Sequence, residues 1–260
     1  AVNPAAIAAA LRPDTRLVVV NHISNVTGRV LDIGALHSLC YRRCGVPLLI
    51  DASQSAGAVS IDLGAMPGAA LAFTGHKALM GPPGTGGLLV GSDLDLEPWK
   101  LGGIGIHSVD EAMPEIWPLR FEPGTPNVPA FRGLAAALRC LQGEGLAARA
   151  ERRRHLTARL MAFLQSQAAY TLYSPAAADN PCGTVSLRLA GWACADVGYV
   201  LKESFGIHVR TGLHCAPLIH HALGTFPEGT VRISLSSANT ATDIQAVIDA
   251  LATLQAMGRP

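Results

Sequence analysis

The first half of the chain alternates short apolar runs with segments of helical spacing. Four runs are predicted as strands, namely residues 17–20, 46–50, 71–73 and 87–90, and the first has the continuous apolar character of a strand buried on both faces. A short helix is predicted from Asn3, a capping residue followed by Pro4, to about Leu11, and a second helix ends at Gly45. Strands that alternate with helices predict an α/β architecture with a mainly parallel sheet.

The second half of the chain has a different pattern. A helix is predicted over residues 129–142, Gly143 and Gly145 interrupt it, and a long polar helix follows. Further strands are predicted at residues 184–189, 207–210 and 231–235, with helices over residues 195–204 and after the capping-box pair Thr240 and Asp243. We therefore expect two domains, residues 1–142 and residues 143–260, the second of them a smaller α+β domain.

The composition excludes several classes of protein. Hydrophobic residues make up 49% of the chain and charged residues 15%, which argues against disorder. The net charge of +1 gives no field that would draw the chain to nucleic acid or to an anionic membrane, and no apolar run reaches transmembrane length. The six cysteines form no CxxC pair, so we expect reduced thiols and a cytoplasmic location.

Two polar clusters have ordinary interpretations at this stage. Arg152, Arg153 and Arg154 lie on the long polar helix, where a solvated face is expected. Four residues near position 215 could suggest a metal site, namely His214, Cys215, His220 and His221. They lack the spacing of a metal-ligand frame, so no metal is predicted.

Candidate chemistry follows two of the predicted strands. Asp51 comes directly after one apolar strand, and Lys77 comes shortly after another. Asn25 lies in the loop after the first strand. Ligands gather beyond the carboxyl ends of parallel strands, so these side chains are expected to converge on one crevice. A lysine that forms a Schiff base and an acid that pairs with a pyridinium nitrogen are what a pyridoxal phosphate (PLP) site needs.

Four motifs in order carry a family resemblance that covers nearly the whole chain. They are DASQSAG at residues 51–57, FTGHK at 73–77, FEPGTPN at 121–127 and RTGLHCAP at 210–217. Together they resemble the class V aminotransferase group of PLP fold-type I enzymes, and most of all cysteine desulfurases and selenocysteine lyases. The resemblance implies the PLP-dependent transferase fold type I, here with an incomplete large domain and the smaller C-terminal domain.

The resemblance also implies roles for individual residues around pyridoxal 5'-phosphate. Lys77 is similar to the Schiff-base lysine and Asp51 to the partner of the pyridinium nitrogen. The other implied cofactor contacts are Asn25 and Gln54 at the phenolic oxygen and its surroundings, Thr74 and His76 at the phosphate, and Thr125 at the phosphate of a partner subunit's cofactor. The last of these implies a homodimer.

The reaction implied by the resemblance is the desulfuration of L-cysteine. Cys215 is similar to the cysteine whose thiolate attacks the substrate sulfur, which yields L-alanine and an enzyme persulfide. Arg210 and Arg232, with Asn25, resemble substrate-binding residues, because a guanidinium fork matches a carboxylate. A sulfur-acceptor protein and a place in iron–sulfur cluster assembly are further implications.

Two alternatives stay open from the sequence. One is another class V PLP enzyme, an aminotransferase, an epimerase or a selenocysteine lyase, and the other is a non-catalytic fragment. Members of the family have a segment before the point that corresponds to Ala1, with a phosphate-binding turn and a histidine that stacks on the PLP ring. We therefore expect this chain to be the C-terminal part of such an enzyme and to bind PLP weakly, or not at all, by itself.

Overall fold

A computed structural model describes residues 3–106, 109 and 111–258. The first sheet has the strand order β1 (Val18–Asn21), β2 (Leu48–Asp51), β3 (Ala69–Thr74) and β4 (Gly86–Val90). The first three strands are parallel and β4 is antiparallel to β3. Helix α1 (Pro4–Ala9) precedes β1, and α2 (Ile33–His37), which continues as a π-helical turn over Ser38–Arg42, precedes β2. The predicted mainly parallel α/β sheet is confirmed.

Side chains alternate between the two faces of this sheet, and α2 covers one of the faces. Val18, Val20, Leu48 and Ile50 face one side and form a buried cluster with side chains of α2 and the turn after it. In the register of the strands, Asn21 lies opposite Asp51, and Asp51 lies opposite Ala72 of β3. The carboxyl ends of the three parallel strands therefore lie side by side, which positions the polar residues that follow them.

Two long helices lead to the second sheet. Helix α3 (Val128–Glu144) ends at Gly145, whose φ of 80° breaks the helical path, and α4 (Leu146–Gln165) begins directly after it. Asn127 caps α3 with its side chain and Pro129 stands in the first turn. The predicted break at Gly145 thus falls between two helices, while Gly143 lies inside α3.

The second sheet is antiparallel, in the order β5 (Tyr170–Leu172), β6 (Thr184–Leu189), β8 (Thr230–Ser234) and β7 (Arg210–Gly212). Helices α4, α5 (Cys194–Phe205) and α7 (Ala241–Met257) pack on it and bury a second hydrophobic cluster, and α6 (Pro217–Leu223) follows β7. The capping box of Thr240 and Asp243 starts α7 as predicted. Among the described residues, no helix is both long enough and apolar enough to cross a bilayer.

The strand predicted at residues 207–210 was placed too early. Helix α5 ends at Gly206 in the left-handed conformation, and β7 begins only at Arg210, opposite Arg232 of β8. The pairing with β8, which is distant in sequence, decides where the strand lies. Residues 210–212 therefore lie in the sheet, directly before the turn that holds Cys215.

The prediction of a solvated arginine run was wrong for Arg153. Its side chain is only 3% exposed and donates to the carbonyl oxygens of Ala58, at 2.8 Å, and of Pro181. A buried guanidinium is tolerated because backbone carbonyls satisfy its donors. Arg153 therefore ties the segment after β2 to the segment before β6.

Candidate active site

Asp51 and Lys77 lie at the carboxyl ends of neighbouring parallel strands. Burial alone would raise the pKa of Asp51, but hydrogen bonds from Ser53 and Asn21 and the charge of Lys77 hold it below its ordinary value. The backbone N–H of Ser53 donates to the Asp51 carboxylate at 2.8 Å. Asp51 is therefore an ionised acceptor, able to pair with a cationic ring nitrogen.

The surroundings of Lys77 disfavour the charged form of its amine and so lower its pKa. Desolvation lowers the pKa of the Lys77 amine, and the positive charges of Arg232 and Arg210 lower it further, against the opposing effects of Asp51 and Cys215. Lys77 as a whole is exposed, but the neighbouring groups partly desolvate its amine, and this desolvation lowers the pKa. A neutral amine is the form that can act as a nucleophile or take up a proton.

The motif between β3 and Lys77 is a compact polar turn. The Thr74 hydroxyl and His76 Nδ1 are 2.7 Å apart and share a hydrogen bond. Gly75 between them is required by space, because a Cβ there would lie 2.1 Å from the Thr85 hydroxyl oxygen. A hydroxyl and an imidazole in one tight turn form a donor set that suits a phosphate group.

Cys215 lies in the turn between β7 and α6. Its φ is 61° and that of His214 is 52°, so two consecutive residues with side chains are in the left-handed region. Such a conformation costs about 1–2 kcal/mol for a residue with a Cβ. The Cys215 thiol is exposed, and Arg210 Nη2 lies 2.9 Å from its sulfur. A positive charge against the sulfur suits a site where the thiolate is the nucleophile.

Asn25 connects the first sheet to this turn. Its side-chain amide donates to the His214 carbonyl at 2.7 Å, and its own carbonyl accepts a hydrogen bond from Arg232 Nη1 at 2.8 Å. Arg232 is partly buried, and its Nε is buried with no hydrogen-bond partner in the part of the chain that the structure describes. Burial, with the nearby charge of Arg210, lowers the pKa of the Arg232 guanidinium. An orphaned donor on a strongly basic group is a natural site for an anion.

A cleft of about 470 Å³ opens beside Lys77, and its lining does not include Asn25, Asp51, Thr74, Arg210 or Cys215. Of the predicted site residues, Gln54, His76, Lys77 and Arg232 line it. The charges of Asp51, Arg210 and Cys215 all act on the pKa of Lys77, which lies in its wall. Thr125 is exposed and does not line the cleft, and it lies in the segment before α3. The two sheets therefore meet around Lys77, with the Cys215 turn contributed by the second sheet.

Sequence reasoning missed part of the cleft wall. Arg149, Arg153 and Cys182 line it, and both arginines are buried. Arg149 pairs with Glu144 at 3.0 Å. The Cys182 thiol donates to the Gln54 carbonyl at 3.0 Å, and burial raises its pKa to about 11, so this thiol is not activated. The arginine run was visible in the sequence, but nothing local indicated that one member turns inward.

A larger surface hollow of about 620 Å³ contains none of the predicted residues. It is lined by residues 11–13, 15–16 and 44–47, which precede β1 and β2. Since ligands of parallel α/β sheets bind beyond the carboxyl ends of the strands, this hollow is on the wrong side for the cofactor. The cleft around Lys77 is the better candidate.

The groups around Lys77 fit PLP in their chemistry. An ionised Asp51 suits the ring nitrogen, the amine of Lys77 suits the aldehyde, and the Thr74 and His76 pair suits the phosphate. Gln54 adds a polar side chain to the same wall. The donor set of this chain is thus compatible with the cofactor that the motifs imply.

The sequence and the fold match known proteins. The family described as Aminotransferase class-V matches residues 1–247. A probable cysteine desulfurase of Methanothermobacter thermautotrophicus is 35% identical, and the match covers 99% of this chain and 65% of that protein. The cysteine desulfurase CsdA of Escherichia coli, solved as an S-sulfonic acid, is 26% identical with a TM-score of 0.88 over 98% of this chain and 62% of that one.

A second solved structure contains a ligand. It is a C-DES mutant with glycine covalently linked to the PLP cofactor, and it is 25% identical to this chain with a TM-score of 0.77, over 96% of this chain and 63% of that one. Across these proteins, the chain spans less than two thirds of the length of each relative.

Proposed function

Because the chain belongs to the class-V aminotransferase family, we propose that its protein is a PLP-dependent cysteine desulfurase. It converts L-cysteine to L-alanine and takes the sulfur onto Cys215 as a persulfide. The observation that carries this proposal is the exposed Cys215 on its left-handed turn, with the Arg210 guanidinium 2.9 Å from its sulfur and both groups close enough to Lys77 to act on the pKa of its amine. The similarity to cysteine desulfurases supports the same reaction.

Different residues have proposed roles toward the cofactor and toward the substrate. When bound, PLP withdraws electrons from the α carbon of an amino acid attached to it. Asp51 would keep the ring nitrogen protonated. Lys77 would hold the cofactor and move a proton at the α carbon. The proposed ring and phosphate contacts are Thr74, His76, Gln54 and Asn25. The Cys215 thiolate attacks the substrate sulfur, so an S–S bond forms while the C–S bond breaks. The electron pair of the C–S bond stays with the carbon, which takes up a proton to become the methyl group of alanine.

The two arginines have different surroundings, which separates their proposed roles. Both were predicted to bind the substrate carboxylate. Arg232 lines the cleft with a buried, unpartnered Nε, whereas Arg210 is exposed and touches Cys215. We therefore propose that Arg232 is the main carboxylate-binding residue and that Arg210 acts mainly on the thiol.

Exchange of each arginine for lysine tests this division. Arg232→Lys is expected to raise the KM for L-cysteine at least about tenfold with a smaller change in kcat, because lysine cannot offer a bidentate fork. Arg210→Lys is expected to lower kcat more than it changes KM. Steady-state kinetics of alanine formation measure both, with the exposed Arg159→Lys on α4 as the matched control. If Arg232→Lys leaves KM unchanged, its assignment is wrong.

We propose that the protein is a homodimer, with the surface around Thr125 in the interface. The segment before α3 exposes large apolar side chains, among them Trp99, Leu101 and Ile116, which are 89%, 76% and 66% exposed. Exposed apolar side chains grouped in one segment of chain suggest a partner surface. Gly124, the residue before Thr125, donates its backbone N–H to the Gly103 carbonyl at 2.8 Å. The loop that carries Thr125 therefore contacts the chain close to Leu101. A second copy seated there would cover Thr125, the residue that the family resemblance assigns to the cofactor of a partner subunit.

Leu101→Asp tests the dimer. A charge in an apolar interface is expected to raise the dimer dissociation constant by at least about tenfold. Light scattering coupled to size-exclusion chromatography would detect the monomer. Leu218→Asp is the control, because Leu218 is also highly exposed but lies on α6. An equally stable dimer in Leu101→Asp would place the interface elsewhere.

We also propose a cellular location, a partner protein and a division into domains. We place the protein in the cytoplasm, with a sulfur-acceptor protein and a role in iron–sulfur cluster assembly, since the persulfide must be discharged to an acceptor. We also propose that residues 1–142 belong to the PLP-binding domain and residues 143–260 to a smaller domain, which the two separate hydrophobic clusters support.

Product analysis tests the proposed function. The full-length holoenzyme is incubated with L-cysteine and a thiol reductant that discharges the persulfide. The proposal expects alanine and sulfide in equal amounts. A keto acid, or the D-amino acid, without sulfide would point instead to an aminotransferase or an epimerase of the same family. The absence of any turnover and of a PLP absorption band would favour a non-catalytic protein.

A further inference from the structure

The turn that carries Cys215 adopts a conformation that its own sequence does not favour. His214 and Cys215 both have positive φ, and neither is glycine. Consecutive left-handed residues with side chains persist only where the surroundings hold them.

The His214 side chain is the main anchor within the second sheet. It is only 2% exposed, and its Nε2 lies 3.0 Å from the Thr230 hydroxyl of β8. Thr230 is itself fully buried and pairs with Gly212 of β7, directly before the turn. The His214 backbone carbonyl accepts a hydrogen bond from the Asn25 side-chain amide at 2.7 Å. Cys215 is the next residue, so the direction of its thiol depends on where this imidazole sits.

The surroundings of His214 require an uncharged ring. The charged and titratable neighbours are Arg232 on β8, Arg210 on β7 and His220 on α6, whose ring centroid lies 5.7 Å away. Burial, then the charges of Arg232, His220 and Arg210, lower the pKa of His214 to about 4. His214 is therefore a neutral hydrogen-bonding group and brings no additional cation to the thiol.

We propose that His214 is a positioning residue for Cys215, which it places beside Arg210 through the hydrogen bond between its imidazole and Thr230. The inference rests on the proposed function, because it assigns a support to the residue that takes up the sulfur. His214 touches neither the substrate nor the cofactor in this account.

Substitutions at both ends of the hydrogen bond test the proposal in the full-length holoenzyme. His214→Leu removes the polar group at similar volume, Thr230→Val removes the partner hydroxyl, and His214→Gln returns an amide near the position of Nε2. Thr225→Val is the matched control, because the Thr225 hydroxyl makes an equivalent buried bond to His220 at 2.7 Å. Each protein is treated with iodoacetamide, and the alkylation of Cys215 is followed by peptide mass spectrometry, with the exposed Cys44 and Cys140 as internal references.

The expected result is slower alkylation of Cys215 without a change at the reference cysteines. His214→Leu and Thr230→Val should slow alkylation of Cys215 and lower kcat by about tenfold, the value of one buried hydrogen bond, with KM and the PLP band little changed. His214→Gln should recover most of both rates, and Thr225→Val should match the unmodified protein. Unchanged alkylation in both His214→Leu and Thr230→Val would overturn the proposal, as would equal losses in Thr225→Val.

The alkylation readout separates this proposal from the proposed function. It needs no turnover, so a protein that makes no alanine from L-cysteine can still show whether His214 controls Cys215. If His214→Leu does not fold, Thr230→Val and His214→Gln are compared instead. A normal alkylation rate of Cys215 in Thr230→Val would then show that the hydrogen bond between His214 and Thr230 does not position Cys215.

Discussion

Replacement of Lys77 by alanine is expected to abolish covalent attachment of the cofactor and to lower turnover by on the order of 10³-fold or more. The alanine lacks both the amine that anchors PLP and the base that moves a proton at the substrate α carbon. Desolvation and the nearby arginines lower the pKa of this amine, which makes the neutral form that both tasks need easier to reach. Borohydride reduction followed by peptide mass spectrometry measures the attachment, and alanine formation measures the rate.

The chain offers a matched control for this experiment. Lys202 is an exposed lysine on α5 that pairs with Glu203 at 2.8 Å. Lys202→Ala should keep both the attached cofactor and the turnover. Activity within about tenfold of normal in Lys77→Ala would contradict the assignment, since an acid–base residue contributes about 10²-fold or more.

The second large effect is expected for Cys215→Ser. A serine hydroxyl is not ionised at neutral pH and does not accept sulfur as a thiolate does, so sulfur release from L-cysteine should fall by on the order of 10³-fold. PLP binding should be unchanged, because none of the proposed cofactor contacts is altered. Sulfide and alanine are measured together with the absorption band of the cofactor.

The outcome of Cys215→Ser separates the desulfurase from other class V enzymes. Cys140→Ser, at an exposed thiol on α3, is the control and should behave as the unmodified protein. A Cys215→Ser enzyme that keeps its full rate on L-cysteine would show that the sulfur leaves without this thiol. The protein would then belong with the lyases or aminotransferases of its family.

The sequence predicts the parts of the fold that depend on local pattern. Apolar runs place β1 to β4 within a few residues, and the ends of those runs bring Asp51 and Lys77 to one edge of the sheet. The capping residues Asn3 and Thr240 start α1 and α7 as expected. These features were predictable because strand burial and helix capping act between residues that are close in sequence.

The remaining features depend on contacts between distant residues. The contact of Arg210 with Cys215 requires the pairing of β7 with β8, which moves the strand three residues later than its apolar pattern indicates. The burial of Arg153 depends on carbonyl oxygens of Ala58 and Pro181, 95 and 28 residues away. No local pattern reveals such partners, so the arginine was interpreted as solvated. The anchor of His214 on Thr230 is a contact of the same kind.

The central claim is that Cys215 takes the sulfur of L-cysteine. The most direct test is a single turnover of the full-length holoenzyme with L-cysteine and no reductant, followed by digestion and mass spectrometry under non-reducing conditions. The account predicts that the peptide with Cys215 gains the mass of one sulfur atom while one equivalent of alanine forms. Alanine formed without added mass on Cys215, or with the sulfur on another cysteine, would contradict it.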